Sequence, residues 1–168
     1  MKMPGWYDIL SFDTLNRSDD NPGILRSRLY LHSLINHELT SGIPSPRILL
    51  GGFSQGGAIA LFSGPTFPTH RLGGTFGLSC YQLLSEKFDG LRQDKGGDAN
   101  AGMKIFMGHG EADPLVRVEW GRETAKGLKE RGFGVDFRTY PGLGHSADPA
   151  EIDALERWVE ERLKDGES

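Results

Sequence analysis

The chain has 168 residues and a net charge of −4 at pH 7, with a single cysteine and no block of basic residues. This length suits one domain with a sizeable hydrophobic core, and the mildly acidic charge argues against nucleic acid as a partner. Cys80 alone excludes an internal disulfide and fits a reducing compartment.

The sequence contains no signal for secretion or for a membrane span. Residues 1–8 lack the charged and then apolar build of a signal peptide, and no apolar run approaches the ~18 residues that a span needs. We therefore expect a soluble protein without a transmembrane segment, located in the cytoplasm or also in the nucleus.

A helix over about residues 22–41 is the first predicted element, after an irregular lead-in that carries Trp6 and Tyr7. Asn21 resembles an N-cap because proline follows it at the first helical position, and Gly42 ends the apolar stripe. This helix leads into the glycine-rich segment that carries the chemistry.

An apolar run at residues 48–50 ends in the sequence GGFSQGG, and a run of Ala, Ile and Leu follows it. This pattern predicts a strand, a sharp turn at Ser54 and a short helix that starts at Gln55. In such a turn the serine has a strained backbone, and Gly52 and Gly56 avoid a steric clash around it. The first N–H groups of the helix point to the place beside Ser54 Oγ where an oxyanion forms. Ser54 is therefore the candidate nucleophile.

A second buried strand is predicted over residues 72–79, and an apolar segment continues past its carboxyl end. Open α/β sheets place ligands at that end, so Tyr81, Leu83 and Leu84 either line an acyl pocket or belong to the buried core. A polar, glycine-rich surface loop is predicted over residues 89–102.

Strands and helices also alternate in the second half of the chain. Strands are predicted over residues 104–108 and 135–140, a helix over about 118–131, and a last helix from a capping-box-like sequence at Asp148. The alternation predicts an α/β fold with a mostly parallel sheet and helices on both faces, as a single domain over residues 1–168.

The chain order Ser, acid, His, which is associated with the α/β-hydrolase sheet, is available as Ser54, Asp113 and His145. Each of the three follows a predicted strand, and the carboxyl ends of parallel strands meet at one edge of the sheet. A serine hydroxyl needs a base within hydrogen-bond reach, and that base needs an orienting carboxylate. The spacing therefore predicts a catalytic triad.

Three other titratable residues are less suited to the roles of acid and base. We prefer Asp113 to Glu111 because the proline after Asp113 fixes a tight turn and the apolar residues that follow would bury it. His70 precedes a strand, so it would lie at the wrong end of the sheet, and His109 falls at the end of a strand. Neither metal-ligand spacing nor a phosphate-binding GxxxxGK sequence occurs, so we expect no metal and no cofactor.

Several motifs resemble those of a known family. The sequences GGFSQGGA at 51–58, GHGEADPLV at 108–116 and YPGLGHS at 140–146 are similar to those of the acyl-protein thioesterase and lysophospholipase family of small α/β-hydrolases, especially its fungal members. The opening MPGWYD at 3–8 is similar to an internal segment of that family. The resemblance implies the α/β-hydrolase fold and hydrolysis of long-chain acyl thioesters on proteins (depalmitoylation), or of acyl esters such as lysophospholipids.

The resemblance also implies roles for individual residues. The candidate site residues are the catalytic Ser54, Asp113 and His145, and the oxyanion or substrate-binding residues Gln55, Tyr81, Leu83 and Leu115. The substrates would be S-acylated proteins or lysophospholipids. We further expect at most a transient contact with a membrane surface and at most a weak homodimer.

One departure from the family lies upstream of Ser54. Members of the family carry further residues before the part that matches Met1, including the first strands and a His-Gly loop that supplies the second oxyanion donor. No such loop precedes Ser54 in this sequence. We therefore expect an N-terminally truncated domain that is poorly active and prone to aggregate through an unpaired strand. The alternatives are a general carboxylesterase of small esters and a catalytically impaired remnant that binds acyl chains or a partner.

Overall fold

The computed structural model of the chain describes residues 5–9, 20–93 and 98–165. In chain order the elements are α1 (Asn21–Thr40), β1 (Leu49–Phe53), α2 (Gln55–Ser63), β2 (Gly74–Leu78), α3 (Ser85–Arg92), β3 (Lys104–Gly110), α4 (Val118–Glu130), β4 (Gly134–Tyr140) and α5 (Pro149–Asp165). A short 3-10 turn over Ser45–Arg47 leads into β1.

The four strands form one parallel sheet in the order β1-β2-β3-β4. In this register Leu49 of β1 lies opposite Gly74, and Ile105 of β3 lies between Thr75 of β2 and Val135 of β4. Because all strands run in the same direction, the loops after β1, β3 and β4 meet at one edge of the sheet. The prediction of a parallel α/β sheet is confirmed.

Helices cover both faces of this sheet, since successive strand residues point to opposite sides. Met107 faces a large cluster that α1, α2 and α4 complete, with Leu128 of α4 fully buried in it. Phe106 faces the other side and packs on Trp158 of α5, with ring centroids 6.1 Å apart. The core therefore has two layers, and α5 is the helix that closes the second one.

Most predicted boundaries agree with the structure to within a few residues, but one predicted cap and the start of one predicted loop are wrong. The N-cap of α1 is Asp20 rather than Asn21, because the Asp20 carboxylate accepts the N–H of Gly23 at 3.0 Å. The loop predicted from residue 89 is wrong at its start, because α3 extends to Arg92 and buries Phe88. Residues 94–97 of that predicted loop, and most of the predicted lead-in, lie outside the described residues. None of the described helices is long and apolar enough to cross a membrane.

The two edges of the sheet differ in composition. Among the described residues β1 pairs only with β2, and its sequence LLGGF carries no charge. At the other edge, β4 carries Asp136 and Arg138, which form an ion pair with an N–O distance of 2.8 Å.

Candidate active site

Ser54 occupies a tight turn between the end of β1 and the start of α2. Its φ of 53° and ψ of −122° place it in a region that residues other than glycine rarely adopt. The Ser54 N–H donates to the carbonyl oxygen of Leu78 at 2.8 Å, which fixes the turn to the end of β2. Gly52 is required, because a Cβ there would lie 2.6 Å from the backbone carbon of Gly56. The predicted strand, sharp turn and helix are confirmed.

The predicted role of Gly56 in avoiding a clash is wrong. A Cβ added at Gly56 would meet no atom nearer than Trp6 Nε1 at 3.8 Å, which is an ordinary van der Waals distance. The close approach that the turn requires is therefore made at Gly52 alone of these two positions.

His145 joins Ser54 to Asp113 through two hydrogen bonds. The Ser54 hydroxyl lies 3.0 Å from His145 Nε2, and the opposite ring nitrogen, Nδ1, lies 2.8 Å from Asp113 Oδ2. Both distances fall within the usual range for hydrogen bonds. Three loops that are distant in the sequence thus bring together a hydroxyl, an imidazole and a carboxylate in the order that nucleophilic catalysis by serine requires.

Asp113 is buried in the loop after β3 and is held by backbone groups as well as by His145. Its Oδ1 accepts the N–H groups of Leu115 and Val116, both at 2.9 Å. Burial alone would raise the pKa of Asp113, but the hydrogen bonds from His145, Val116 and Leu115 hold that pKa below its ordinary value. Asp113 therefore stays ionised at neutral pH and can stabilise a positive charge on His145.

A second histidine, His109, is hydrogen-bonded to the backbone of this loop. It is fully buried, and its Nε2–H donates to the carbonyl oxygen of Val116 at 2.8 Å. Burial lowers the pKa of His109 in spite of that carbonyl and of Asp113, whose Oδ2 is 3.8 Å from His109 Nε2. His109 is therefore neutral and secures the chain just after Asp113.

Two other residues that could have served as acid or base, Glu111 and His70, lie away from His145. Glu111 points outward, where its Oε1 accepts the hydroxyl of Thr139 at 2.7 Å and faces Arg122 at 3.8 Å. His70 is exposed and precedes β2, so it lies at the opposite end of the sheet from Ser54.

The residues considered for an acyl pocket separate into buried and exposed ones. Leu83 is 0% exposed within the main core cluster, and Tyr81 is buried with its ring 6.1 Å from that of Trp120. The Tyr81 hydroxyl also lies 3.5 Å from that of Tyr7. Of the two alternatives left open by the sequence, this burial favours the core. Leu115, next to Asp113 in the loop, is 53% exposed.

The contacts of two side chains beside Ser54 were not predicted from the sequence. The Phe53 ring packs on the His145 ring, with centroids 4.8 Å apart. The Gln55 side chain accepts the N–H of Trp6 at 2.9 Å and donates to the carbonyl oxygen of Tyr7 at 2.7 Å. Gln55 thereby holds the partly exposed Trp6 next to the start of α2. No sequence pattern relates these distant positions, although Phe53 does adjoin the predicted nucleophile.

Gln55 is also the first residue of α2, so its backbone N–H has no acceptor within the helix. This N–H lies directly after Ser54, where an oxyanion donor of the elbow is expected. Within the described ranges, no three His, Cys, Asp or Glu side chains are grouped as metal ligands would be.

Comparisons with known protein sequences give consistent results. A family profile described as phospholipase/carboxylesterase matches residues 1–163. Acyl-protein thioesterase 1 of Neurospora crassa is 51% identical over 167 residues, which cover 97% of this chain and 67% of that protein. The acyl-protein thioesterase 1 of Gibberella zeae is 47% identical, over 97% of this chain and 70% of that protein.

Solved structures give the same result for the fold. The crystal structure of Arabidopsis thaliana SOBER1 aligns with a TM-score of 0.84 at 29% identity, over 95% of this chain and 74% of that one. The crystal structure of Zea mays acyl-protein thioesterase 2 aligns with a TM-score of 0.77 at 26% identity, over 95% and 72% of the two chains.

Proposed function

Since the chain belongs to the phospholipase/carboxylesterase family of α/β-hydrolases, we propose that it is a serine hydrolase that removes long-chain acyl groups from S-acylated proteins. The observation that carries this proposal is the hydrogen-bonded series Asp113, His145, Ser54 at the carboxyl edge of the sheet. The relatives named acyl-protein thioesterase support the thioester as the bond that is cleaved.

The proposed reaction has two steps. His145 Nε2 accepts the Ser54 proton as Oγ attacks the acyl carbonyl carbon, and Asp113 stabilises the imidazolium. The oxyanion faces the Gln55 N–H until the tetrahedral intermediate collapses, and the thiolate leaves with the proton from His145. A water molecule that His145 deprotonates then attacks the acyl-enzyme, and His145 returns the proton to Ser54 Oγ as the acyl–oxygen bond breaks and the fatty acid leaves.

Oxygen esters require the same groups. A thiolate leaves more readily than an alkoxide, but the same nucleophile, base and oxyanion donor serve both bonds. We therefore propose lysophospholipids as a second substrate class. Exposed apolar side chains flank the triad at Trp6, Phe53 and Leu115, and they offer an acyl chain an apolar surface on which to lie.

The decisive experiment is labelling with a serine-directed fluorophosphonate. We expect the wild-type chain to gain one phosphonyl group, detected by mass spectrometry, and Ser54→Ala to gain none and to lose turnover of an acyl thioester. Ser33→Ala is the matched control, because Ser33 is an exposed residue of α1 and takes no part in the series Asp113, His145, Ser54. Equal labelling of Ser54→Ala and wild type would contradict the proposal.

A carboxylesterase of small esters is the second candidate. It is favoured by the burial of Tyr81 and Leu83, which leaves neither of them open to a long acyl chain. A series of p-nitrophenyl esters from acetate to palmitate separates the two functions. Our proposal predicts that kcat/KM rises with chain length, whereas a small-ester esterase shows the reverse. A chain that neither labels nor turns over would instead be a binding remnant.

A further inference from the structure

Glu151, near the start of α5, is a fully buried carboxylic acid that the proposed reaction does not use. Neither of its carboxyl oxygens has a hydrogen-bond partner of ordinary geometry among the described residues, although the backbone N–H of Asp148 acts to lower the pKa of this carboxyl group. The carboxyl group is pressed against β3, because a Cβ added to Gly108 would lie 2.2 Å from Glu151 Oε1. Burial of a carboxyl group without well-formed hydrogen bonds opposes folding, so the position of Glu151 calls for an explanation.

Capping of α5 does not account for this burial. Asp148 already caps the helix, since its Oδ1 accepts the N–H of Ala150 at 2.8 Å and its carbonyl oxygen accepts the N–H of Ile152 at 3.0 Å. A solvent-exposed glutamate at the third position would complete a capping box as well as a buried one. The position of the Glu151 carboxyl group against the sheet therefore needs a separate explanation.

The Glu151 carboxyl group interacts electrostatically with residues at both ends of the loop that carries His145. This loop runs over residues 141–148, from the end of β4 to the cap of α5. At one end of the loop, burial and then the charge of Glu151 raise the pKa of Tyr140, and at the other end Asp148 acts on Glu151 through its backbone N–H and its carboxylate. The Tyr140 hydroxyl is also buried without a partner among the described residues.

The strand below the carboxyl group leads directly to the acid of the triad. Gly108 is followed in β3 by His109 and Gly110 and then by the loop that contains Asp113. The histidine loop also rests on this strand further along, because a Cβ at Gly110 would lie 2.2 Å from the carbonyl oxygen of Leu143. A single carboxyl group thus adjoins the strand that leads to the acid and both ends of the loop that holds the base.

We propose that Glu151 is a positioning residue for His145: its carboxyl group, seated against Gly108, holds the loop over residues 141–148 in place. It touches no reacting atom and acts only through that loop. The inference rests on the proposed function, because the position of His145 matters for turnover only if Ser54 is the nucleophile. A displacement of about 1 Å in such a group lowers turnover by about a hundredfold.

The protonation of Glu151 agrees with this role. Burial raises the pKa of Glu151 to about 7, while the Asp148 N–H opposes the rise and the Asp148 carboxylate adds to it. Below that pH the group is a neutral acid, which a glutamine side chain matches in shape and polarity. Glu151→Gln is therefore the conservative variant, and Glu151→Ala is the variant that removes the support.

The first readout is turnover per active site, counted by fluorophosphonate titration so that unfolded protein does not contribute. We expect Glu151→Ala to lower kcat by about tenfold to a hundredfold with little change in KM, and Glu151→Gln to restore most of the loss. Gly108→Ala, whose new Cβ would displace the Glu151 carboxyl group from β3, should lower kcat in the same way. The controls are Glu156→Gln on the exposed face of α5 and Gly90→Ala, which has no atom within 4 Å of its new Cβ.

The second readout does not depend on activity. The proton on His145 Nδ1, shared with Asp113, gives a low-field NMR signal that His145→Ala identifies by its loss. We expect this signal to weaken or shift in Glu151→Ala and Gly108→Ala and to persist in Glu151→Gln. A purely structural Glu151 would change the melting temperature of these variants but leave the signal and the kcat per site unaltered, and that result would overturn the inference.

The two proposals fail in different ways. Full turnover by Ser54→Ala would contradict the proposed function, while the NMR signal of His145 would still decide the role of Glu151. Loss of turnover in Ser54→Ala together with an unaltered Glu151→Ala would overturn the role of Glu151 alone.

Discussion

At the scale of single residues, the surroundings of Asp113 favour it as the acid of the proposed triad. Two backbone N–H groups occupy Oδ1, and this leaves Oδ2 for His145 at 2.8 Å. Glu111, two positions earlier in the chain, shares none of these contacts and is bound to Thr139 at the surface. The choice between the two carboxylates therefore depends on how the loop after β3 is folded.

This difference predicts opposite results for two isosteric changes. Asp113→Asn keeps the shape but removes the charge that stabilises the imidazolium, so we expect kcat to fall by about 10³- to 10⁴-fold, as is typical of serine triads. Glu111→Gln, the matched control, should change kcat by less than about threefold, because an exposed ion pair contributes little. Steady-state kinetics with one thioester substrate checks both. Equal loss in the two variants would contradict the assignment of the acid.

These site residues could be predicted from the sequence because their positions follow from the order of the strands. Ser54, Asp113 and His145 each come after a strand, and parallel strands bring such positions to one edge. The contacts that support the site could not be predicted from the sequence, for a physical reason. The contacts of Gln55 with Trp6 and Tyr7 join segments that are adjacent only in space, and no periodicity within one segment encodes them.

At the scale of elements, the turn between β1 and α2 depends on a close backbone approach. Gly52→Ala would place a Cβ 2.6 Å from the backbone of Gly56, and backbone cannot move aside as a side-chain end can. We expect it to lower the free energy of unfolding by about 1–3 kcal/mol and to abolish fluorophosphonate labelling. Chemical denaturation and labelling check the two effects.

Gly90→Ala is the control for this change, since the new Cβ meets no atom within 4 Å and α3 gains a better helix former. It should raise the free energy of unfolding by as much as about 1 kcal/mol and leave labelling intact. Labelling by Gly52→Ala at the wild-type rate would show that the close approach is not needed.

The boundaries of two elements show where sequence patterns fail. The polar sequence after residue 89 predicted a loop, but Phe88 is buried against Phe133 of the turn after α4, and this packing extends α3 to Arg92. Long-range packing had overridden a weak local pattern. By contrast, β1 and α2 lie where their apolar runs predicted a strand and a helix.

The junction of α5 with the sheet makes stability depend on pH. Burial raises the pKa of Glu151 from its ordinary value of 4.5 to about 7 in the folded chain, which corresponds to about 3 kcal/mol. The neighbouring Tyr140 and Cys80 also have raised pKa values, so neither of them carries a charge at neutral pH. The stabilisation from protonated Glu151 is complete below pH 4.5 and disappears as the pH rises to about 7.

We therefore expect Glu151→Gln to gain stability relative to the wild type as the pH rises from 5 to 8, by as much as about 3 kcal/mol. Urea unfolding at the two pH values measures this difference, and Glu156→Gln on the exposed face of α5 should show no such trend. A difference between Glu151→Gln and wild type that stays constant with pH would mean that Glu151 ionises normally.

At the scale of the whole molecule, the sheet is asymmetric at its edges. In the described part of the chain, the outer side of β1 has no paired strand, and the sequence LLGGF offers neither charge nor proline against pairing with another chain. On β4 the Asp136–Arg138 ion pair supplies such charges. Because Ser54 follows β1 directly, we expect any contact along this edge to affect the proposed nucleophile.

We expect the 168-residue chain to associate with itself through β1 and not through β4. Sedimentation velocity should show larger species as the concentration rises to about 100 μM, and hydrogen exchange at the higher concentration should slow at the β1 amides while the β4 amides stay unchanged. Replacing both charges, as Asp136→Asn with Arg138→Gln, should add protection at β4, because charged side chains are what keeps that edge from pairing. A chain that stays monomeric at every concentration, or one whose β4 amides are protected first, would show that edge composition does not control its association.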